Sequence, residues 1–437
     1  MRKLARMVVS GFASAALLAI EAGAQRPAVR QLGRLEHATH DSLASAANAL
    51  QLPGGRVLVN DITGRRLLLF DSTLAHPIVV ADTTGATSNA YGRDAGTLVR
   101  YRGDTSIFVD IASLSMLVID PSGKIVRVKA VPNPDEAQFL IGSVFGLPGF
   151  DAAGRLIYHG PAGMEGTFIL CCVERPARMG DGSQRSRPVP KPDSGFLVRV
   201  DLETRASDTL TAIKLEWEKQ RIRLDEQGYV QAIERVRMPY PYVDAWAVLI
   251  DGSLAVVRGR DYHIDWLGTD GRWSASPKLT FDWRRVDDAR KLAVIDSSAR
   301  AEQAIDERLN TRSAARPGGG GGGRGGGGGG GGGARPGRGG TPIPEVTARA
   351  DVSDVPDYER PFEEGGAIAD ADDHLWIRTT AMADGRPVYD VVDRRGELVD
   401  RVQLPAFRTI AGFGPGVAYT AVKDPAGLVH LERIRIH

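Results

Sequence analysis

Three features of the 437-residue sequence predict an all-β fold, a six-bladed β-propeller with one long helical and Gly-rich insertion. A short hairpin recurs along the chain, its copies follow at a near-constant spacing, and Gly- and Asp-rich turns bound each copy. The first copy is "GRVLVNDITGRRLLLFD" (55–71), in which two runs of Val and Leu flank a turn at Thr63 and Gly64. Such runs of branched apolar residues between turn residues are typical of paired strands.

Five further copies align on the Gly/Asp turn and the strand that follows it. The equivalent strand positions are Val57, Ile107, Leu156, Leu254, Leu375 and Val417. They are separated by 50, 49, 98, 121 and 42 residues, so the underlying period is 40 to 50 and the two long intervals contain inserted sequence. Self-similarity at this period is the signature of a β-propeller, whose blades bury their faces only by stacking on one another. The alternative is a run of unrelated hairpins in another all-β fold.

The long segments of the sequence fall at one end of this predicted fold. In a four-stranded blade, the turns between strands one and two and between strands three and four share one end, and here they are short and rich in Asp and Gly. The other end carries the remaining connections, which include all the long segments: 83–96, 131–146, 161–194, 215–242 and 276–364. Loops on one face of a rigid scaffold are where binding and catalysis concentrate, so this loop-rich end is the predicted functional face.

The longest insertion has two parts. Residues 282–309 contain good helix formers and predict a helix across the face or beside the barrel. Residues 316–340 are a Gly-rich tract with scattered arginines, which predicts a solvated, disordered linker. The predicted organisation is therefore a signal peptide over 1–24 and a propeller over 25–437, with insertions at 160–194, 215–242 and 276–364.

The first 24 residues have the pattern of a signal peptide. A basic start at Arg2, Lys3 and Arg6 precedes an apolar stretch, and residues 22–24 (Ala-Gly-Ala) supply the small residues before a cleavage site. The stretch is short for a membrane span. We therefore predict a periplasmic or secreted protein with no membrane span after cleavage; an uncleaved anchor is the alternative.

Charge and cysteine content narrow the function classes. The 55 basic and 54 acidic residues provide no electrostatic case for nucleic acid or a membrane surface as the partner. The adjacent Cys171 and Cys172 lie in a predicted strand and form no Cys-x-x-Cys redox motif. A bridge between neighbours would be strained, because their Cα atoms are about 3.8 Å apart. Two free thiols on opposite faces of the strand are the alternative.

No catalytic motif occurs in the sequence. A His-Glu-x-x-His helix, a Gly-x-Ser-x-Gly elbow and a phosphate-binding Gly-x-x-x-x-Gly-Lys loop are all absent. The acidic "DADDH" (370–374) lacks the Gly and the distant Glu of a calcium loop, which favours a hairpin turn. Blade 4 concentrates aromatic residues, and we expect Trp246 and Trp266 to fill the core between blades.

Polar residues at the open ends of the second strands are the candidate ligand contacts. The segment "RGRDYH" (258–263) places Arg258, Arg260, Asp261, Tyr262 and His263 in one loop of the predicted functional face. Arginine can grip a carboxylate or sulfate with two hydrogen bonds, while Tyr and His offer stacking surfaces and donors. The alternative is a salt bridge that ties blade 4 to its neighbour. The same ends carry further candidates: Asn60, Asp61, Asp110, His159 and Arg378.

The blade pattern resembles six-bladed propellers of the NHL-repeat and gluconolactonase-like kind, whose blades run as "GRVLVND…LLLFD" and "DTSIFVD…LVIDPSG" do here. The resemblance covers most of the chain and implies the fold. Gluconolactonase-like propellers hold a divalent cation in the central channel with oxygen ligands from several blades. The candidates above mix cations with carboxylates and do not match that set residue by residue.

The sequence therefore predicts an exported, monomeric, non-catalytic propeller that binds a protein or a small anionic or carbohydrate-like ligand through its loop-rich face, without a cofactor. The alternative is a lactonase-like hydrolase or lyase that depends on a divalent cation such as calcium. Three or more Asp, Asn or Glu oxygens converging in the channel would distinguish the two.

Overall fold

The computed structural model describes residues 26–142, 146–160, 177–178, 184–185, 194–215, 218–314 and 345–436. Their strands, numbered along the chain, are β1 (Val29–Gln31), β2 (Leu35–Ala38), β3 (Asn48–Gln51), β4 (Val57–Asp61), β5 (Arg66–Phe70), β6 (Ile78–Ala81), β7 (Gly96–Arg100), β8 (Ser106–Asp110), β9 (Ser115–Ile119), β10 (Ile125–Ala130), β11 (Gly149–Phe150), β12 (Leu156–Gly160), β13 (Ala177–Arg178), β14 (Gln184–Arg185), β15 (Ser194–Val200), β16 (Ser207–Lys214), β17 (Glu218–Leu224), β18 (Val230–Arg237), β19 (Ala245–Val248), β20 (Leu254–Arg258), β21 (His263–Leu267), β22 (Trp273–Ala275), β23 (Glu345–Ala348), β24 (Phe362–Ala369), β25 (Leu375–Ala383), β26 (Arg386–Val392), β27 (Leu398–Gln403), β28 (Arg408–Gly414), β29 (Val417–Lys423) and β30 (Val429–Arg435). The helices are α1 (Asp288–Ala314) and short 3₁₀ turns at Pro53–Gly55, Gly85–Thr87, Pro134–Leu140 and Val352–Asp354.

Six antiparallel sheets form the blades. In chain order they are β3 to β6, β7 to β10, β11 with β12, β15 and β16, β19 to β22, β24 to β27, and β28 to β30 with β2. The first strand of every blade lines a common central channel. The predicted six-bladed propeller is confirmed, and the six aligned sequence positions from Val57 to Val417 all lie in the second strand of their blade.

The two ends of the chain meet in blade 6. Strand β2, close to the N-terminus, pairs with β30, close to the C-terminus, and so supplies the outermost strand of that blade. Strand β1 pairs in parallel with β27 and adds a fifth strand to blade 5. Closing the ring with strands from both ends pairs blade edges that would otherwise be open.

The core lies between the blades. Six buried apolar clusters each combine side chains from two neighbouring blades, and together they run around the ring. In β4, Val57 and Val59 pack against blade 6, whereas Leu58 packs against blade 2. Side chains alternate between the faces of a strand, so a strand buried on both faces needs an unbroken apolar run. Trp246 and Trp266 belong to two of these clusters, as predicted.

The inserted segment between blades 4 and 5 pairs with the inserted segment between blades 3 and 4, and the two form a small unit. Strand β23 pairs in parallel with β18, and β18 pairs with β17. Helix α1 begins at Asp288, six residues later than predicted, because the chain before it is extended: Val286 N donates to Asp357 O, and Asp287 caps Arg290 N. Ile295 of α1 packs with Val236 of β18.

Three predictions concern residues outside the described ranges: the signal peptide (1–24), the adjacent Cys171 and Cys172, and the Gly-rich linker (316–340). Within the described part of the chain, no helix is both long enough and apolar enough to span a membrane.

Candidate functional site

The strand order distributes the connections unequally between the two ends of the propeller. Turns from the first to the second strand and from the third to the fourth strand are short, as in 52–56 and 120–124. The long connections leave and re-enter the strands at the opposite, loop-rich end: they join β6 to β7, β10 to β11, β12 to β15, β16 to β19 and β22 to β24. The "DADDH" segment lies at the short-turn end, where Asp370 accepts hydrogen bonds from Asp372 N, His374 N and Trp376 Nε1, as a hairpin turn requires.

A channel cavity of about 670 Å³ runs along the axis toward the short-turn end. Small side chains such as Ala49, Gly149 and Ala369 form much of its wall, and the turn residues Arg102 and Asp251 lie at its mouth. These groups are engaged with neighbouring blades: Arg102 donates to Ala153 O, and Asp251 binds Arg394. Sequence analysis identified none of these residues as a site, because the channel forms only when the ring closes.

The predicted candidates of blade 1 are buried structural groups. Asn60 Nδ2 donates to Gly96 O at 3.0 Å, and its Oδ1 accepts from Tyr91 at 3.0 Å, which joins blade 1 to blade 2. The carboxylate of Asp61 is fully buried. It accepts hydrogen bonds from the turn that follows β4 and from the connection that enters blade 1. Its donors are Ala44 N, Ser45 N, Ser45 Oγ, Gly64 N and Arg66 Nε.

The candidates of blades 2 and 3 are also buried. Asp110 accepts from Ala112 N and from Ser113 Oγ within its own turn. His159 is 4% exposed and packs edge-on against Phe139, with ring centroids 5.5 Å apart. Burial lowers the pKa of the His159 imidazole to about 4, so at neutral pH the ring is uncharged.

The buried His159 should make stability depend on pH. An unfolded histidine has a pKa of about 6.5, so the unfolded chain binds the extra proton between pH 6.5 and 4. This residue's contribution to the free energy of unfolding is complete above pH 6.5, and about 3 kcal/mol of it should be lost by pH 4. Urea unfolding between pH 7.5 and 4 would measure the slope.

Two variants isolate the contribution of this residue. His159→Leu should reduce the slope between pH 6.5 and 4, and His40→Leu, which replaces an exposed ring, is the matched control. An unchanged slope in His159→Leu would show that other groups govern the acid response.

Arg258 ties blade 4 to blade 3. Its Nε donates to Asp265 at 2.7 Å, and its Nη1 donates to Asp244 and to Ala212 O, both at 2.8 Å. Burial by itself would lower the pKa of the guanidinium, but the hydrogen bonds to Asp265 and Asp244 raise it above its ordinary value. The two ion pairs lie within blade 4 and the connection that enters it, whereas the tie to blade 3 is the hydrogen bond to Ala212 O; the predicted alternative was a salt bridge between the blades.

The other residues of "RGRDYH" divide between core and surface. Tyr262 is fully buried, and its hydroxyl donates to Asp390 at 2.9 Å, so it presents no ring to a ligand. His263 lies between Asp261 and Asp265, at 3.2 and 3.3 Å. Arg260 is exposed. The loop therefore offers solvent one cation and a partly exposed Asp–His pair.

Arg378 is the remaining predicted contact. It is exposed near the loop-rich end of β25, and no carboxylate of the described residues forms an ion pair with it. Within the described part of the chain, no hydrogen bond or ion pair joins candidates of different blades. They are therefore separate positions around the ring, and their role in ligand binding stays a prediction.

The candidate residues do not form a set of ligands for a cation. No group of three His, Cys, Asp or Glu side chains within the described ranges is placed to share a metal ion. The carboxylates of Asp61 and Asp110 already accept hydrogen bonds from their own turns. These residues do not fit a channel cation of the kind that the lactonase-like alternative requires.

Sequence analysis missed a second feature of the loop-rich end. Six large apolar side chains are exposed there in the connections of several blades: Leu114, Leu147, Trp283, Tyr358, Phe407 and Leu428. Among the described residues in the short turns of the opposite end, Ile250 is the one large apolar residue with a similarly exposed side chain. Single apolar residues in loops carry no periodic pattern, so the sequence does not mark them as a group.

The strand topology defines this chain as a β-propeller. No family model and no curated protein matches the chain. Solved structures of propeller proteins match the fold of this chain. Virginiamycin B lyase from Staphylococcus aureus, an inactive variant with quinupristin, is 11% identical, with coverage of 91% of this chain and 98% of the other and a TM-score of 0.37.

Two more solved structures match this chain with similar sequence identity, coverage and TM-score. A gluconolactonase from Xanthomonas campestris is 9% identical, with coverage of 94% and 97% and a TM-score of 0.34. Regucalcin from Agrobacterium tumefaciens, described as a calcium-binding protein, is 11% identical, with coverage of 94% and 98% and a TM-score of 0.36. Such likenesses carry no argument about the activity of this chain.

Proposed function

We propose that this chain is an exported, non-catalytic binding propeller that recognises a protein partner through its loop-rich face. The observation that carries the proposal is the unequal distribution of exposed apolar side chains between the two ends. Among the described residues, six lie in connections of the loop-rich end, against one in the short turns of the other end. Exposed apolar groups gathered on one face are a feature of interaction surfaces, because a partner can remove them from water.

The rigidity of the blades supports this role. The connection between the second and third strands of blade 1 is anchored at both ends in strands whose side chains are buried on both faces, β4 and β5. A surface held in this way loses little conformational entropy when a partner binds. The polar residues beneath it, such as the buried Asp61 and the partly buried Arg258, hold the connections in place and leave contact with the partner to the exposed side chains.

Photo-crosslinking from defined positions tests the proposal. The photoreactive residue p-benzoylphenylalanine would replace Phe407 or Leu428 at the loop-rich end and Ile250 at the short-turn end. We expect the first two variants to crosslink to the same protein in the exporting cell and the Ile250 variant to give none, because the amino acid reacts only with neighbours within a few ångströms. Crosslinks from Ile250 alone, or equal yields from all three positions, would contradict a binding face at the loop-rich end.

A further inference from the structure

The channel cavity stays open because small side chains line it. Ala49, Ala247 and Ala369, on the first strands of blades 1, 4 and 5, form part of a wall that encloses about 670 Å³. Protein interiors are otherwise close-packed, with few voids larger than a water molecule. A cavity of this size is within the range of about 300–1,000 Å³ that holds small molecules in proteins.

The wall of this cavity offers apolar surface. Larger apolar side chains from four blades add to the small ones and remain partly exposed: Leu50, Val248, Ile368 and Ile410. Each packs against one of the clusters between blades, which fixes its position. The cavity is therefore suited to an apolar group, which leaves water when it enters.

Four of the six charged residues that line the cavity are already engaged. The six are Arg100, Arg102, Asp104, Asp151, Asp251 and Asp370. Asp151 pairs with Arg155 at 2.7 Å and lies 3.6 Å from Arg199, and Asp251 pairs with Arg394 at 2.6 Å. The other two engaged groups, in the turns of blades 2 and 5, bind backbone atoms. One of these is a guanidinium and the other a carboxylate, so their charges cancel as well.

Arg100 is one of the two charged groups that remain. It ends β7, and its Nη2 donates to Gln51 O of blade 1 at 3.4 Å. This is its one side-chain hydrogen bond within the described ranges, and its Nε and Nη1 stay accessible to solvent. Burial lowers the pKa of the guanidinium, and the nearby carboxylate of Asp104 opposes that shift. Arg100 therefore offers free N–H donors at a partly buried position.

Asp104 is the other remaining group. It lies in the short turn from β7 to β8 and is exposed, and its carboxylate forms no hydrogen bond or ion pair with any residue that the structure describes. One hairpin thus carries an unpaired guanidinium and an unpaired carboxylate beside an apolar cavity. Two opposite charges favour neither an anion nor a cation alone, but they complement a molecule that carries both.

We infer that the channel binds a free amino acid with an apolar side chain, in its zwitterionic form. The carboxylate would accept hydrogen bonds from the Arg100 guanidinium, whose fork of donors matches two carboxylate oxygens. The ammonium group would pair with Asp104, and the side chain would enter the cavity and leave water. This small-molecule site lies in the channel and does not depend on the protein-binding role proposed for the loop-rich face.

Isothermal titration calorimetry with leucine and two truncated analogues tests the inference on the wild-type protein. Isocaproate is leucine without its ammonium group, and isoamylamine is leucine without its carboxylate. We expect leucine to bind, isocaproate to bind about fourfold more weakly, and isoamylamine about tenfold more weakly. Glycine, which has no apolar side chain, should bind at least about tenfold more weakly than leucine.

Two variants connect each charge of the ligand with its partner. Arg100→Gln should weaken leucine binding about tenfold and should not weaken isoamylamine, because that amine has no carboxylate. Asp104→Asn should weaken leucine binding about fourfold and should not weaken isocaproate. Arg93→Gln and Asp94→Asn are the matched controls, since this exposed pair lies in the connection that enters blade 2 and does not line the cavity. Both controls should bind leucine as the wild type does.

A third variant locates the site. Ala369→Leu should place a larger side chain in the cavity and abolish leucine binding, and circular dichroism and thermal unfolding would establish that each variant is folded. Retained leucine affinity in a folded Ala369→Leu protein would overturn the inference, because the site would then lie outside the channel.

Two other results would also overturn the inference. One is equal affinity of the wild type for leucine, isocaproate and isoamylamine, or unchanged leucine affinity in Arg100→Gln. The other is an absence of binding by leucine, valine, methionine and phenylalanine. None of these results would change the crosslinks expected from the loop-rich face, so the two proposals can fail separately.

Discussion

Replacing Arg258 with Ala should lower the free energy of unfolding by about 3 kcal/mol, because its removal takes the guanidinium away from the nearly buried Asp244 and the partly buried Asp265. Asp244 and Asp265 would each lose a hydrogen bond of 2.8 or 2.7 Å to the guanidinium, and their side chains are 9% and 24% exposed. The contact of blade 4 with Ala212 of blade 3 would be lost as well. Urea unfolding followed by tryptophan fluorescence would measure the change.

Arg260→Ala is the matched control for Arg258→Ala. Arg260 lies two residues away in the same loop and is exposed, so its removal should change stability by less than about 0.5 kcal/mol. If Arg258→Ala were as stable as the wild type and instead lost affinity for an anionic ligand, the structural role of Arg258 would be contradicted and the predicted ligand-binding role of "RGRDYH" supported.

Asp61→Ala should destabilise the fold by about 4 kcal/mol, the largest effect that we expect from a single polar substitution. Its carboxylate is fully buried and accepts five hydrogen bonds, from Ala44, Ser45 (two), Gly64 and Arg66. Alanine would leave those donors without an acceptor and release both connections of blade 1 at the loop-rich end.

Two further variants bracket the effect of Asp61→Ala. Asp61→Asn should fall between the wild type and Ala, because an amide oxygen can still accept from part of this donor set. Asp94→Ala removes an exposed carboxylate 3.7 Å from Arg93 and should be nearly neutral. Equal stability of Asp61→Ala and Asp94→Ala would contradict the structural role of Asp61.

Both substitutions address a pattern that sequence analysis interpreted differently. Polar residues at the ends of the second strands suggested a rim of ligand contacts, since a charged residue after an apolar run commonly lies at a surface. In the structure the connection folds back over the strand end, and Asn60, Asp61 and Asp110 satisfy its backbone and turn groups. A buried N–H requires an acceptor, and a short polar side chain at the strand end supplies one.

The sequence by itself determined the blades, because the information for them is local. Apolar runs such as Val57 to Val59 define strands, Gly and Asp define the short turns, and the spacing of copies defines the number of blades. It also determined at which end the long connections leave the scaffold, since the direction of each strand follows from its order in the blade.

Only the tertiary structure decided which polar side chains are buried and which apolar ones are exposed. Arg258 meets Ala212, 46 residues away, and Tyr262 meets Asp390, 128 residues away, once neighbouring blades stack. Phe407 is exposed because its loop crosses from one blade to the next with a positive φ, a geometry set by the strands on either side. Strands and turns are determined by residues adjacent in the sequence. The partner of a side chain, in contrast, depends on distant segments that the closed ring brings together.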